Sequence, residues 1–379
     1  MSEILSISGA FVLWRIRGIF VSMMEESKTR LPELDIVKGV AIIAMIICHT
    51  VCYMGAVPGH TGYVVAEEIL GGPMAAPMFM ICMGIAINFS RRSEPLALVK
   101  RGVRLFLLAY LLNFLRAGLP FGIGFALGMA DTVADMLVMA FLIVDILQFA
   151  GLALIFIGLC LRLKINGWLM LAIAVVCSVA GSLCRGFDCG SDALNALLGL
   201  FIGAGPSDIE NCYSCFPFAH WIVYPVFGLL AGRYLKNCKD KERLYRHVLA
   251  VSFPITIFYC WLVAKKGFTP LSDGLYYWHS LADGFFFICL DLMLIAIAWQ
   301  LCKILPQWII RLLEGLSKNI TAVYCISWVI ICWVGIPLFM GLELQPLNPW
   351  VAYIPALAIT AISYWLALKW KARKTSLRK

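Results

Sequence analysis

The stretch Arg30–His60, RLPELDIVKGVAIIAMIICHTVCYMGAVPGH, joins a polar start to an apolar run that is long enough to enter a bilayer. Lys38, His49 and His60 follow one another within it in two steps of eleven residues. Because eleven residues make roughly three turns, at ~3.6 residues per turn, a helix that extended so far would carry all three side chains on one face, ~16 Å apart. Ionisable side chains are costly inside a membrane helix, so this stretch predicts a functional site in a membrane protein.

The composition of the whole chain agrees with this prediction. Of 379 residues, 62% are hydrophobic and only 14% are charged, and the mean hydropathy is +0.88. A soluble protein of this size needs a larger charged surface, so the sequence predicts an all-α, polytopic membrane helical bundle of about ten helices. The apolar stretch 133–141 is predicted to lead into the fourth span. The predicted spans are 36–56, 64–89, 102–118, 142–162, 167–185, 217–235, 247–264, 280–302, 316–336 and 349–369.

The distribution of Lys and Arg predicts the orientation. If the N-terminus is cytoplasmic, only four of the 31 basic residues fall on the outer side: Arg116, Arg185, Lys265 and Lys266. This asymmetry favours ten helices with both termini in the cytoplasm, in the plasma or inner membrane of the cell. It also explains the net charge of +9 as an orientation signal, so no nucleic-acid partner is predicted.

The chain divides into three parts. Residues 1–29 form an extension with an apolar run too short to span a bilayer, which needs ~20 apolar residues. Either the native start is Met23 or Met24, or the extension is an interfacial helix. Residues 30–372 are predicted to form a single transmembrane domain, and residues 373–379 a basic cytoplasmic tail.

Four cysteines lie in or beside the predicted outer loop 186–216. Disulfides are chemically permitted outside the cytoplasm, so a disulfide, free thiols and a metal site all remain open. No His or carboxylate stands at a suitable ligand spacing nearby, so the metal site is the least favoured of the three and the prediction is that no metal is bound. The four residues are Cys184, Cys189, Cys212 and Cys215.

Candidates for catalysis lie along the first predicted helix. His49 is a general base, a proton relay, or a histidine that a polar neighbour satisfies inside the bundle. His60 lies on a turn, and its spacing of eleven residues from His49 makes it a second candidate. Asp35 and Lys38 are three residues apart and share a helical face, either as a simple ion pair or with Lys38 on an anionic ligand.

The densest basic segment is RRSEPLALVKRGVR, residues 91–104. Its cations are a topology signal or a phosphate-binding cluster, for which Arg and Lys are well suited. The cations are Arg91, Arg92, Lys100, Arg101 and Arg104.

Further polar residues lie inside the later apolar runs. Asp145 and Gln148 share one helical face and either support the substrate or serve as structural hydrogen-bond partners, and the same two roles are open for Asp283 and Asp291. Asn319 and Tyr324 belong to a polar entry to the ninth span, which favours a helix cap with interhelical hydrogen bonds over catalysis.

Several blocks resemble the transmembrane acyltransferase superfamily. The opening, with Arg30, Leu34–Asp35, Lys38 and His49, is similar to its first helix, and PMAAPMFMICMGIAINFSRR from Pro73 to its second helix and basic loop. Later blocks resemble the family in the same order over most of residues 30–370. They are VDILQFAGLALIF at 144–156, FPFAHWIVYPVFGLLAG at 216–232 and LSKNITAVYCISW at 316–328.

Two branches of the superfamily fit. One is the heparan-glucosaminide N-acetyltransferase-like branch, in which the positions of His49 and His60 form the active site. The other is the acyltransferase-3 branch, marked by Arg, ten residues and His. Lys38 replaces that Arg, which puts guanidinium-specific contacts in doubt.

The resemblance implies an enzyme that uses cytoplasmic acetyl-CoA to acylate a sugar, glycan or small acceptor on the other face. Either His49 or His60 is expected to be the base, with Asp35 in the same catalytic set. The acceptor, O- versus N-transfer and the oligomeric state, a homodimer included, stay open.

The competing interpretation is a proton-coupled transporter or exporter, with a relay through His49, Asp145, Asp283 and Asp291. The chain shows no paired halves and no repeated broken helices, which many transporters have.

Overall fold

The computed structural model describes residues 31–126, 128, 141–204, 214–335, 337–338 and 344–376. The extension 1–29, residues 133–140 and Cys212 lie outside the described residues. Within them the regular elements are all helices, as predicted, with two isolated bridges between loop residues. Two π-helical turns, Val65–Gly71 and Phe114–Gly118, interrupt the α-helices. The α-helices are α1 (Pro32–Met54), α2 (Thr61–Val64), α3 (Ala76–Ile87), α4 (Pro95–Asn113), α5 (Leu119–Ala126), α6 (Ile146–Arg162), α7 (Gly167–Leu183), α8 (Asp192–Leu198), α9 (Phe218–Trp221), α10 (Val223–Asn237), α11 (Lys241–Lys266), α12 (Leu281–Ile304), α13 (Gln307–Lys318), α14 (Ile320–Gly335) and α15 (Pro349–Ser376).

Each of the ten predicted spans overlaps a helix, but the helices differ in length. Among the described residues, six are long and apolar enough to cross a membrane, and the bent pair α13–α14 is a seventh if it counts as one span. The helices α6 and α7 have 17 residues each and α10 has 15. The protein is therefore a multi-pass membrane protein, whereas the count of ten and the cytoplasmic position of both termini stay predictions. The six helices are Pro32–Met54, Thr61–Ile87, Pro95–Ala126, Lys241–Lys266, Leu281–Ile304 and Pro349–Lys374.

The core of the bundle surrounds α1. In its most apolar window 67% of the residues are buried inside the protein, against 17% for α11 at the periphery. Pro32 opens α1, where its missing N–H costs no helical hydrogen bond. The helix ends at Met54, so His60 lies on a separate element and does not share a helical face with Lys38 and His49.

Close packing of α4 against α6 fixes one side of the site. Gly102 of α4 faces Gly151 of α6, and a Cβ on Gly102 would lie 2.6 Å from the carbonyl oxygen of Gly151. Only glycine permits this approach, which is typical of packed membrane helices. The contact holds the start of α6 beside the π-helical turn Phe114–Gly118 that continues α4.

A bend of 78° separates α13 from α14. It lies within residues 316–336, which the sequence predicts as a single span. Asn319 stands at the bend, and its side-chain amide donates to the carbonyl oxygen of Gly315, 2.8 Å away. The amide thereby satisfies a carbonyl at the end of α13, which ends that helix and lets the chain turn into α14.

Candidate active site

His49 contacts the indole of Trp328. The two rings have centroids 4.0 Å apart and are tilted by 31°, so α1 and α14 meet through this pair. The Nδ1 atom of His49 is buried and has no hydrogen-bond partner among the described residues. A histidine that serves the fold normally has its buried nitrogens satisfied. Within the described part of the chain, no contact of the fold therefore uses this nitrogen of His49.

Arg116 contacts the same indole. Its guanidinium carbon lies 4.4 Å from the centroid of the Trp328 ring, and its Nη1 lies 2.6 Å from Oδ2 of Asp145. The residue is only 5% exposed and comes from the turn Phe114–Gly118. A guanidinium this deeply buried needs both a counter-ion and further contacts, which Asp145 and the indole supply.

Asp145 is the hub of these contacts. As N-cap of α6, its Oδ1 accepts from the backbone N–H of Ile146 at 2.7 Å, while its own N–H donates to Gln148 Oε1 at 3.2 Å. This arrangement is a capping box, and Gln148 therefore acts locally. The other oxygen, Oδ2, accepts from Arg116 and from the hydroxyl of Tyr324 at 2.9 Å. The fixed backbone thus aims one carboxylate oxygen at α14.

A cavity of about 540 Å³ opens beside this centre. Tyr324 lines the cavity and donates to Asp145, so one side chain joins the cavity to the buried charges. Asn319 also lines it, at the bend before α14. Apolar side chains of α1 and α3, such as Ile42 and Phe79, form part of the wall. Five cations line the cavity: Lys38, Arg101, Lys318, Lys371 and Lys374.

Asp35 supports Lys38 and not His49. Its Oδ1 lies 3.3 Å from the Lys38 ammonium and accepts from the hydroxyl of Ser317 at 2.6 Å. Asp35 and His49 are fourteen residues apart on α1, or roughly 21 Å along the helix axis. Asp35 therefore holds a cation of the cavity in place and is not part of the His49 centre.

His60 caps α2. Its Nδ1 accepts from the backbone N–H of Gly62 at 3.1 Å, in the N-cap position of Thr61–Val64. This contact gives the side chain a structural role of its own, and none of the contacts described for His60 involves His49 or Trp328.

The basic segment 91–104 contributes only one residue to the cavity. Arg101 lines it, whereas the other four cations do not, although all five are exposed. The cations that line the cavity with Lys38 and Arg101 come instead from α13 and α15. The four that do not line it are Arg91, Arg92, Lys100 and Arg104.

Arg116 and Trp328 were not among the residues predicted for the site. Arg116 was predicted to be one of the outer charges, although an arginine inside the apolar run FLRAG is as costly as a histidine inside α1. This cost is the signal that could have identified Arg116, as it did His49. Trp328 carries no such signal, because tryptophan is common in membrane helices. Tyr53 meets the same indole edge-on, with centroids 5.6 Å apart.

The two other buried aspartates lie apart from this centre, on α12. Asp283 accepts from the Tyr259 hydroxyl at 2.7 Å and from the Ser272 hydroxyl, so it stabilises the fold. Asp291 is fully buried, and neither of its carboxylate oxygens has a hydrogen-bond partner among the described residues.

Cys184 and Cys189 carry free thiols. The described residues contain no group of three or more His, Cys, Asp or Glu side chains that would hold a metal ion.

The family model of the acyltransferase-3 domain, described as an acyltransferase domain, matches residues 31–369. This range includes the His49 centre and all but two of the cations of the cavity, the exceptions being Lys371 and Lys374. No curated protein matches the chain.

Proposed function

Because the chain belongs to the acyltransferase-3 family and is a membrane acyltransferase, we propose that it moves an acetyl group from acetyl-CoA to a sugar or glycan acceptor. The donor enters from the cytoplasm, and the acceptor reacts at the outer face of the plasma membrane. One observation supports this proposal above all: Tyr324 joins a cation-lined cavity to the buried ion pair beside His49.

The cavity suits the donor in charge and in shape. The phosphates of CoA meet Lys38, Arg101 and the lysines at the rim, and the apolar wall accepts the pantetheine arm. Lys38 stands where the family pattern has Arg, so it meets phosphate as a point charge and not as a bidentate fork. The ~16 Å between Lys38 and His49, from helical rise, is comparable to an extended pantetheine arm.

His49 is the general base in the proposed reaction. Its imidazole takes the proton of the acceptor hydroxyl or amine as that oxygen or nitrogen attacks the thioester carbonyl. The tetrahedral intermediate then collapses, the C–S bond breaks, and the imidazolium returns the proton to the leaving sulfur as CoA thiol. No proton is gained or lost overall, and the acyl group ends on the acceptor.

Arg116 stabilises the negative charge that develops on the thioester oxygen. It shares the Trp328 indole with His49, and Asp145 fixes its position. A positioned cation in a water-poor site stabilises such a charge strongly, because nothing has to reorganise during the reaction. Tyr324 orients the same carboxylate from the side of the donor cavity. The family assignment lends no support to the transporter alternative.

Acetyl-CoA binding to the purified protein in detergent, measured by calorimetry, tests the donor site. Wild type is expected to bind in the micromolar range, and Lys38→Ala and Arg101→Ala are each expected to weaken binding about tenfold, because each removes a charge-assisted contact. The double variant Arg91→Ala/Arg92→Ala is the matched control and keeps wild-type affinity. Absence of binding at millimolar acetyl-CoA would refute the proposal.

A further inference from the structure

A second cavity, of about 710 Å³, lies between α7, α10, α11 and α12. It shares no lining residue with the donor cavity. The peripheral helix α11 packs along α12, and the cavity separates it from α10 and α7. We call this cavity the α10–α11 groove. Its walls are mostly aliphatic, and they include Leu230, Leu244, Val248 and Leu292.

The polar residues of the groove gather at one end. Asn166, Arg233, Tyr234 and Asn237 line it there, at the start of α7 and the end of α10. Two aromatic residues mark the same level: Trp168 is 74% exposed and Tyr234 is 67% exposed. Exposed Trp and Tyr are typical of the membrane–water interface. The groove therefore has a polar mouth at the interface and an apolar body within the hydrocarbon region.

Arg233 is the cation at this mouth. Among the described residues no carboxylate lies within ion-pairing distance of its guanidinium, whereas Glu242, near the start of α11, pairs with Lys303. Lys236 is also engaged, since its ammonium donates to the carbonyl oxygen of Asn88 at 3.1 Å. A half-buried guanidinium above an apolar groove is complementary to a phosphate that continues into a hydrocarbon chain.

We propose that the α10–α11 groove binds one anionic glycerophospholipid, with its phosphate on Arg233 and an acyl chain between α10 and α11. The same end of the bundle carries further cations, Lys239, Lys241 and Arg243, which favour an anionic over a zwitterionic headgroup. A lipid chain in this apolar groove makes dispersion contacts with its aliphatic wall.

One residue of the groove, Tyr245, connects the proposed lipid site to α1, the helix that carries His49. Tyr245 lines the groove, and its hydroxyl donates to the buried carboxylate of Glu33 on α1 at 2.7 Å. A chain packed against Tyr245 holds this hydrogen bond in place. Bound lipid is thereby expected to stabilise the start of the helix that carries Lys38 and His49.

Native mass spectrometry of the full chain, delipidated in detergent, tests the proposal with phosphatidylglycerol and phosphatidylcholine of equal chain length. One phosphatidylglycerol is expected to bind to wild type, and Arg233→Gln is expected to weaken its binding about tenfold through loss of a charge-assisted contact. Arg246→Gln, an exposed cation outside the groove, is the matched control and keeps wild-type binding. Val248→Trp fills the groove and is expected to reduce binding of both lipids.

Two results would overturn the proposal. Equal binding of phosphatidylglycerol and phosphatidylcholine to wild type would indicate an ordinary lipid annulus. Equal weakening in Arg233→Gln and Arg246→Gln would indicate a diffuse charge effect without a site. If Arg233→Gln does not fold, Arg233→Lys, which keeps the charge, and Val248→Trp carry the test. Acetyl-CoA binding in the same samples reports separately on the donor site.

Discussion

Two histidines inside the helical bundle differ in how their nitrogens are used. In the cluster around the buried His279, Nδ1 lies 2.8 Å from the carbonyl oxygen of Tyr276, and Nε2 lies 2.6 Å from the hydroxyl of Tyr224. At the half-buried His49, the Nδ1 atom is buried without a partner among the described residues, next to Trp328. The fold therefore uses both nitrogens of His279, whereas it leaves Nδ1 of His49 without a hydrogen bond.

The residues that surround the two histidines also differ. The indole of Trp221 packs edge-on against His279, with centroids 4.8 Å apart, inside a group of packed aromatic rings. The aromatic residues beside His279 therefore pack against one another and stabilise the fold. His49 instead shares its indole with Arg116 and lies near a cavity. An unpartnered nitrogen alone does not separate the two regions, because His220 in the His279 cluster also has a buried Nε2 without a partner among the described residues. His49 differs in that it lies beside the Arg116–Asp145 ion pair.

The largest expected contrast is between the two alanine variants. His49→Ala is expected to lower acetyl transfer by about 10²-fold or more, because it removes the general base. His279→Ala is expected to keep the rate per folded molecule but to lower the free energy of unfolding by about 1–3 kcal/mol, since buried partners lose their hydrogen bonds. Incorporation of radiolabelled acetyl into membrane glycans and thermal melting in detergent measure the two effects. Full transfer in His49→Ala would contradict the comparison.

The ion pair between Arg116 and Asp145 allows a sharper test of whether this centre is catalytic. Arg116→Gln or Asp145→Asn alone leaves a buried charge unpaired, which is expected to cost about 3–5 kcal/mol of stability. The double variant removes both charges and is expected to melt closer to wild type while remaining inactive, a non-additive result in stability. Melting temperature and acetyl incorporation are measured for all four proteins. A double variant that regained activity would show that the pair serves the fold alone.

The two tryptophans provide a smaller contrast. Trp328→Phe weakens a cation–π contact worth about 0.5–2 kcal/mol, so transfer is expected to fall by about tenfold or less. Acetyl-CoA affinity, measured by calorimetry, should not change. Trp221→Phe is the control from the His279 cluster: it removes an indole that donates to the Tyr277 carbonyl oxygen at 2.8 Å, and should lower stability and not the rate. Identical effects of Trp328→Phe and Trp221→Phe on the transfer rate and on stability would show that the two tryptophans do not differ in role.

The smallest effect is expected at His60. His60→Ala removes an N-cap and is expected to cost about 1 kcal/mol of stability, while His60→Asn keeps a capping side chain. Transfer by both variants should stay near the wild-type rate in the same membrane assay. A loss as large as that of His49→Ala would instead place His60 in the reaction, as the family resemblance allows.

Much of this architecture follows from local sequence. Apolar runs located the helices, and the cost of polar groups in a membrane identified His49 and Asp145 individually, whereas Tyr324 was noted only as part of a polar entry to the ninth span. Their meeting was not predictable, because Tyr324 and Asp145 are 179 residues apart in the chain. The site is built from contacts between distant segments, and a single sequence carries no signal for them.

The residues that line the donor cavity were likewise not predictable from a single sequence. The dense basic segment 91–104 was the natural prediction for phosphate binding, yet only Arg101 lines the cavity. Local charge density indicates exposure to water, whereas the lining of a cavity depends on which helices converge. The bend of 78° at Asn319 brings Lys318 to the cavity, and no hydropathy pattern records it.

The π-helical turn Phe114–Gly118 makes the position of Arg116 sensitive to insertions and deletions in this segment. A π turn accommodates one residue more than an α turn, and such turns are frequent at functional sites. Loss of one residue here would rotate every later side chain of the helix by ~100°, since an α-helix has ~3.6 residues per turn. Arg116 would then face away from Asp145 although both amino acids were retained. In related chains, the length of this segment is therefore as informative as the identity of its residues.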